Sequence, residues 1–135
     1  MKKFIIEMDV RDNELDAQQI VNNSNYMIYL SHARHKHVDS IGLNFDDYLK
    51  NNQKLVLLSC TLKYVNSLVA NDSFVVSSTI CKGELPYQWC YKQDIKRKND
   101  SKVILKASFL STCINGNLEG DEKLYIPDLI KNILE

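Results

Sequence analysis

Residues 3–11 alternate apolar and mostly polar side chains. Phe4, Ile6, Met8 and Val10 occupy every second position. Because successive side chains of a strand point to opposite faces, this pattern predicts a β-strand with one buried face. Residues 12–22 that follow are polar and show no period, which is typical of a loop.

The next segment changes to a helical period. A helix is predicted from Asn23 or Ser24 to Ile41, with an Asn or Ser side chain available as the N-cap. Gly42 follows the last apolar residue, as expected of a left-handed C-cap. One stripe of this helix is mainly apolar and is expected to face the core: Tyr26, Met27, Leu30, Ala33, His37 or Val38, and Ile41.

The remainder reads mainly as strands. After a possible helical turn at 45–51, strands are predicted at 55–67, 73–82, from Pro86 onward, and at 102–114, with turns at 71–72 and 98–101. Pro127 then opens a short helix at 128–134. The order predicts a single α+β domain over residues 1–135, in which an antiparallel five-stranded sheet wraps around one long central helix. One helix cannot cover both faces of such a sheet, so a face or an edge remains for a second subunit.

Composition narrows the classes of function. The 135 residues are 44% apolar and 25% charged, with 17 Lys+Arg and 17 Asp+Glu, as in an ordinary globular protein. Zero net charge argues against a broad nucleic-acid or anionic-membrane surface. No apolar run reaches membrane-spanning length, and Glu7 and Asp9 interrupt any secretory signal, so a cytoplasmic protein is expected.

The cysteines support the same location. There are four, widely spaced and without a CxxC pair: Cys60, Cys81, Cys90 and Cys113. We expect free, buried thiols in a reducing compartment.

The candidate chemistry lies before the long helix. A carboxylate, Asp16, precedes a polar cluster, Asn22-Asn23-Ser24-Asn25, at the predicted helix start. Backbone N–H groups at a helix start lack intrahelical acceptors and carry a partial positive charge, so an oxyanion is stabilised there. A carboxylate facing such a site suits attack on a polarised carbonyl, either as general base or as nucleophile.

The element order and this motif resemble the hot-dog-fold acyl thioesterases. The similarity is to the 4-hydroxybenzoyl-CoA and bacterial acyl-CoA thioesterase group, and to the single-domain plastid acyl-carrier-protein thioesterases. It rests on Val10-Arg11-Asp12-x-Glu14-Leu15-Asp16 followed by Val21-Asn22-Asn23, on Asn25-Tyr26, and on Asn71-Asp72 at a turn where the family usually has Gly-Asp.

The resemblance implies a role for each motif residue. The catalytic aspartate falls on Asp16, and the backbone oxyanion donor falls on Asn23, where some bacterial members carry a histidine. The remaining polar residues of the helix start are expected to bind substrate or fix the helix, and Ser59 and Thr61 are equally well explained as thioester contacts or as ordinary strand hydroxyls. The full set of expected substrate-binding residues is Asn22, Ser24, Asn25, Tyr26, Ser59 and Thr61.

Other residues have simpler interpretations. Glu14 is expected to be structural, in a pair with Arg11. Arg34 is left open between pairing with a carboxylate of the 12–16 loop and lying at a subunit interface. His32, His35 and His37 are not spaced to share one helical face, so no metal site is predicted.

The resemblance implies hydrolysis of an acyl-CoA or acyl-carrier-protein thioester by a homodimer or homotetramer, without a metal or redox cofactor and without nucleic-acid or membrane partners. A non-catalytic acyl-thioester-binding protein of the same fold is the alternative, and a carboxylate at position 16 argues against it. A hot-dog dehydratase is a second rival, but the histidines lie deep in the helix rather than at its start.

Overall fold

The computed structural model describes residues 3–135 and contains one curled antiparallel sheet. Its main strands are β1 (Phe4–Asp9), β2 (Gln53–Tyr64), β3 (Ser73–Lys82), β4 (Gln88–Arg97) and β5 (Val103–Asn115). Their order across the sheet is β1-β3-β4-β5-β2, and a two-residue strand, β6 (Leu124–Tyr125), pairs with β5. The predicted five-stranded antiparallel sheet is therefore confirmed, with β6 as a small addition that sequence periodicity did not indicate.

Three α-helices accompany the sheet. They are α1 (Asn23–Ser40), α2 (Phe45–Lys50) and α3 (Asp128–Leu134). Asn22 caps α1, and Gly42 has a φ of 89°, a left-handed conformation that glycine adopts without strain. Both ends of the long helix lie where the sequence predicted them. Across the described residues, no helix combines the length and apolar character needed to cross a bilayer.

The sheet curls around α1 and contacts it through every main strand. Side chains from all five strands lie against the helix, because one apolar helix face is buried most completely inside a concave sheet. The contacts pair Phe4 of β1 with His37, Tyr64 of β2 with Tyr26, Phe74 of β3 with Tyr29, Gln93 of β4 with Arg34, and Phe109 of β5 with Arg34.

Most of the predicted helix stripe is buried, and two residues join it. Leu30 and Ala33 are fully buried, and Tyr29 and Arg34 are also buried although the apolar period did not include them. Tyrosine and arginine each carry a long apolar body with a polar end, so burial follows where the polar end finds a partner.

The expectation of buried thiols is confirmed in full only for Cys113. Cys81 and Cys90 are half-buried, and Cys60 is exposed. Cys60 lies on β2, which forms an edge of the sheet, so β5 flanks it on one side and no strand of this chain flanks it on the other.

Candidate active site

A short closed loop holds Asp16 beside the start of α1. Leu15 and Val21 form an isolated antiparallel bridge, and the Asp16 N–H donates to the carbonyl oxygen of Ile20 at 2.8 Å. The loop turns through Gln19, whose φ is 65°. Val21 directly precedes the helix cap, so the bridge fixes Asp16 close to the helix start.

The Asp16 carboxylate has one oxygen engaged and one free. Oδ1 accepts from the Gln18 N–H at 2.8 Å and from the Ile20 N–H at 3.4 Å. Within residues 3–135, no donor contacts Oδ2. The side chain is half-buried and is oriented by the hydrogen bonds from its own loop. The second oxygen therefore remains available to accept a proton or to attack a carbonyl carbon.

Asn22, the N-cap of α1, accepts hydrogen bonds from the residues that follow it, and one backbone N–H of the first turn remains without an acceptor within residues 3–135. Asn22 Oδ1 accepts from the Ser24 N–H at 3.0 Å and from Ser24 Oγ at 2.9 Å, and its carbonyl oxygen accepts from the Asn25 N–H at 2.9 Å. The Asn22 N–H itself donates to the Glu14 carbonyl oxygen at 2.9 Å. No acceptor among the described residues takes the Asn23 N–H, and Asn23 is exposed. The predicted oxyanion donor is thus the one free backbone donor of this turn.

Glu14 ties the preceding segment to the helix. Its Oε1 accepts from the Arg11 N–H and from the Tyr29 hydroxyl, each at 2.7 Å, and its carbonyl oxygen also accepts from Asn25 Nδ2 at 3.0 Å. Burial, followed by the adjacent carboxylate, raises the pKa of Tyr29 well above its usual value. Glu14 is structural, as predicted, and its contact with Arg11 is to the backbone.

Tyr26 anchors the opposite side of the helix start. Its hydroxyl accepts from the Leu68 N–H at 3.0 Å, and the Leu68 carbonyl oxygen accepts from Val21 at 2.9 Å. Burial raises the pKa of Tyr26. Of the residues predicted to bind substrate, Asn22, Asn25 and Tyr26 therefore have visible roles in holding the helix start.

Ser59 and Thr61 lie on the other face of the sheet. Cys60 stands between them and pairs with Phe109, whose ring lies beneath Arg34 on the helix side. Because strand side chains alternate, Ser59 and Thr61 point away from α1. Within one chain, the structure does not bring them together with Asp16.

Arg34 is the polar residue that sequence reasoning placed least well. No carboxylate oxygen lies within 4.0 Å of its guanidinium among residues 3–135, so it does not pair with the 12–16 loop. Instead Nη1 donates to Gln93 Oε1 at 3.0 Å, and the guanidinium carbon lies 3.9 Å from the centroid of the Phe109 ring. One signal in the sequence could have indicated that Arg34 lies on the same side of the helix as Asn23. It is eleven residues further along, which is nearly a whole number of helical turns.

The three histidines have separate surroundings. His37 is buried, with Nδ1 3.0 Å from Ser78 Oγ and its ring stacked on Phe4. His35 is exposed and contacts the Phe45 ring, and His32 is exposed.

Comparison with known proteins agrees with this architecture. No protein-family model matches the chain. Two chloroplastic acyl-acyl carrier protein thioesterases of Arabidopsis thaliana, ATL3 and ATL2, are each 39% identical over 75 residues, which is 56% of this chain and 40% of the relative. The matching region thus spans well under half the length of these relatives.

Solved structures match over nearly the whole chain. A 1,4-dihydroxy-2-naphthoyl-CoA thioesterase from Synechocystis superposes with a TM-score of 0.87 at 16% identity, covering 98% of this chain and 96% of that one. A 4-hydroxybenzoyl-CoA thioesterase variant complexed with 4-hydroxybenzoyl-CoA has a TM-score of 0.83 at 13% identity, covering both chains fully at 100%. These structural neighbours are hot-dog-fold thioesterases. The resemblance drawn from the sequence is confirmed at the level of shape, and the chain has the hot-dog fold.

Proposed function

We propose that this protein hydrolyses an acyl thioester, carried by coenzyme A or by an acyl-carrier protein, to a free acid and a thiol. The observation that carries the proposal is the free Asn23 N–H at the start of α1, beside a carboxylate with one unengaged oxygen. The thioesterase names of the sequence relatives and of the structural neighbours support it.

In the proposed reaction the thioester carbonyl oxygen accepts a hydrogen bond from the Asn23 N–H. If Asp16 is the general base, it takes a proton from water, and the resulting hydroxide attacks the carbonyl carbon. The tetrahedral oxyanion is stabilised by the donor and by the helix dipole. It then collapses with cleavage of the C–S bond, and the thiolate receives the proton from Asp16.

If Asp16 is the nucleophile, its carboxylate attacks the carbonyl carbon directly. The thiolate leaves, and a mixed anhydride between the acyl group and Asp16 is hydrolysed by water. Both routes use the same two protein groups, and neither invokes a metal or redox cofactor.

The proposal is tested by Asp16→Asn, which is nearly isosteric but supplies neither base nor nucleophile. Losing a positioned general base lowers the rate by about 10²–10⁴-fold, and we expect a loss of this size in kcat. Thiol release from acyl-CoA and acyl-carrier-protein substrates measures it. Asp12→Asn is the matched control, because it changes an exposed carboxylate nearby. Glu14→Gln is not suitable, because Glu14 holds the helix start. A near wild-type kcat for Asp16→Asn contradicts the mechanism.

The active unit is proposed to be a dimer, or a dimer of dimers, formed by pairing of β2 edges. An unpaired edge strand exposes backbone groups that favour a second strand. Leu57 and Leu58 on β2 are 44% and 47% exposed, and Tyr64 at its end is 49% exposed.

Sedimentation tests the oligomer. We expect a dimer or larger assembly at micromolar concentration, weakened by Leu58→Lys because the added charge lies at the proposed interface. Leu118→Lys is the matched control, since Leu118 is 44% exposed but lies in the loop after β5. An active wild-type monomer contradicts the proposal.

A cytoplasmic location stays a prediction.

A further inference from the structure

Arg34 is a buried cation with an incomplete set of partners. Its exposed fraction is 7%, and its one hydrogen bond among the described residues goes to Gln93. Gln93 is itself held, because Nε2 donates to the Leu30 carbonyl oxygen at 3.1 Å and so keeps Oε1 toward the guanidinium. Arginine carries five N–H donors, and burying them without acceptors is costly. Stacking on Phe109 offsets part of this cost, and the remaining donors have no protein acceptor among the described residues.

A small pocket lies against this guanidinium. Its volume is about 140 Å³. The lining includes Arg34, Ser31 and His35 of α1, Phe45 of α2, and Trp89 and Tyr91 of β4, with residues of β2 and β5 completing the wall. The Trp89 side chain is fully buried, and its Nε1–H is the one buried side-chain polar atom without a partner among residues 3–135. A buried donor without an acceptor destabilises a fold.

Two side chains at one pocket, Arg34 and Trp89, therefore carry N–H groups without a protein acceptor among residues 3–135. One of them is charged, and no carboxylate of the described residues compensates it. A ligand that satisfies both must contribute oxygen acceptors, and a carboxylate best matches the charge and the planar fork of the guanidinium.

The pocket lies on the same stripe of α1 as the helix start. With 3.6 residues per turn and a rise of about 1.5 Å per residue, Arg34 lies about 16 Å from Asn23 along the axis and nearly in line with it. Met27 and Leu30 lie between them, the first half-buried and the second fully buried. An acyl chain of matching length whose thioester carbonyl contacts the Asn23 N–H would therefore end at the level of Arg34.

From this geometry we propose that the pocket binds the distal end of the acyl group, and that this end carries an oxygen acceptor, with a carboxylate as the best match. Arg34 and the Trp89 indole N–H are the recognition groups. The inference rests on the proposed thioester hydrolysis and adds the class of acyl group.

The test compares matched thioesters on the wild-type protein. Straight-chain acyl-CoA substrates of graded length are each paired with their ω-hydroxy and ω-carboxy counterparts. At the length that reaches the pocket, kcat/KM is expected to favour the oxygenated substrate by about tenfold to a hundredfold, the range given by a hydrogen bond to a charged group. The preference should appear mainly in KM, because the distal end is remote from the reacting carbon.

Two variants assign the preference to these side chains. Arg34→Met should reduce the ratio of kcat/KM between oxygenated and plain substrates by about tenfold or more, and Trp89→Phe should reduce it less. Lys36→Met is the matched control, since it removes a positive charge from an exposed position of the same helix. Circular dichroism checks that each variant folds.

A binding measurement keeps the test independent of turnover and of variant folding. A free ω-dicarboxylic acid should raise the melting temperature of the wild-type protein more than the monocarboxylic acid of equal length. Equal kcat/KM for plain and oxygenated thioesters, together with equal stabilisation by the two acids, overturns the inference and leaves the proposed hydrolysis standing. Failure to hydrolyse any thioester overturns the proposed function, and the acid-binding comparison still decides what the pocket recognises.

Discussion

The first turn of α1 and its C-terminal half both carry polar residues, but those of the first turn are exposed and those of the C-terminal half are buried. At the first turn, Asn23 is exposed and its N–H has no acceptor within the described residues. In the C-terminal half, Arg34 and His37 are buried against the sheet, where Gln93 and Ser78 meet them. An exposed free donor is available to a substrate oxygen, whereas a buried polar side chain contributes to packing and to selection of what enters. The proposed chemistry and the proposed recognition are thereby assigned to separate parts of one helix.

The largest change in activity is expected from substitutions at the first turn. Asn23→Pro removes the backbone donor while its fixed φ remains acceptable at the first helical position. We expect kcat to fall by about 10²–10³-fold, as for loss of one oxyanion donor. Asn23→Ala keeps the N–H and should have a modest effect.

The Asn23 pair is assayed by thiol release, with melting temperatures showing that both variants fold. Alanine as damaging as proline means that the side chain matters, and the backbone role assigned to Asn23 fails.

Between the two regions, α1 is expected to act through packing alone. Leu30 is fully buried, so Leu30→Ala should lower the free energy of unfolding by about 2–5 kcal/mol through lost contacts and a residual cavity. Ile28 is 60% exposed on the same helix, and Ile28→Ala should change stability by about 0.5 kcal/mol or less. Urea unfolding measures both. Equal costs for the two variants contradict the observed orientation of the helix.

A smaller effect is expected from pH at the buried half. Burial lowers the pKa of His37, so the folded state keeps the imidazole neutral where an unfolded chain, with a histidine pKa of about 6.5, already binds a proton. The stability contribution is therefore complete above about pH 6.5 and is lost as pH falls toward the lowered pKa of the folded state.

The melting temperature should thus fall by a few degrees as pH is lowered below neutrality. His37→Gln should weaken this dependence without abolishing it, because partial desolvation, followed by the nearby Arg34 charge, also lowers the pKa of His35. An unchanged pH dependence in His37→Gln shows that His37 does not carry the effect.

The same contrast explains what the sequence could predict. Local signals were sufficient for α1, because a cap residue, an apolar period and Gly42 coincide. They were also sufficient for β3, whose range of 73–82 was predicted from the turn before it and from a run rich in Val, Ser and Thr. The helix-start donor followed from general properties of helix ends. These features depend on residues close together in the chain.

Features that depend on distant contacts could not be predicted in this way. Arg34 is separated from Gln93 by 59 positions, and its burial depends on Phe109 from yet another strand. The orientation of Ser59 and Thr61 depends on a register irregularity between Leu57 and Ser59, which no local pattern reveals. Long-range packing therefore determines the surroundings of Arg34, whereas local sequence determines the helix start.

The first turn of α1 is proposed to perform thioester hydrolysis rather than thioester binding alone. The most direct test of this proposal measures both the binding and the thiol release of acyl-CoA and acyl-carrier-protein thioesters of graded length, using the wild-type protein. We expect catalytic release of thiol, over many turnovers, from at least one thioester that binds. Tight binding across the series with no thiol released from any member contradicts the claim and identifies the protein as a non-catalytic acyl-thioester-binding protein.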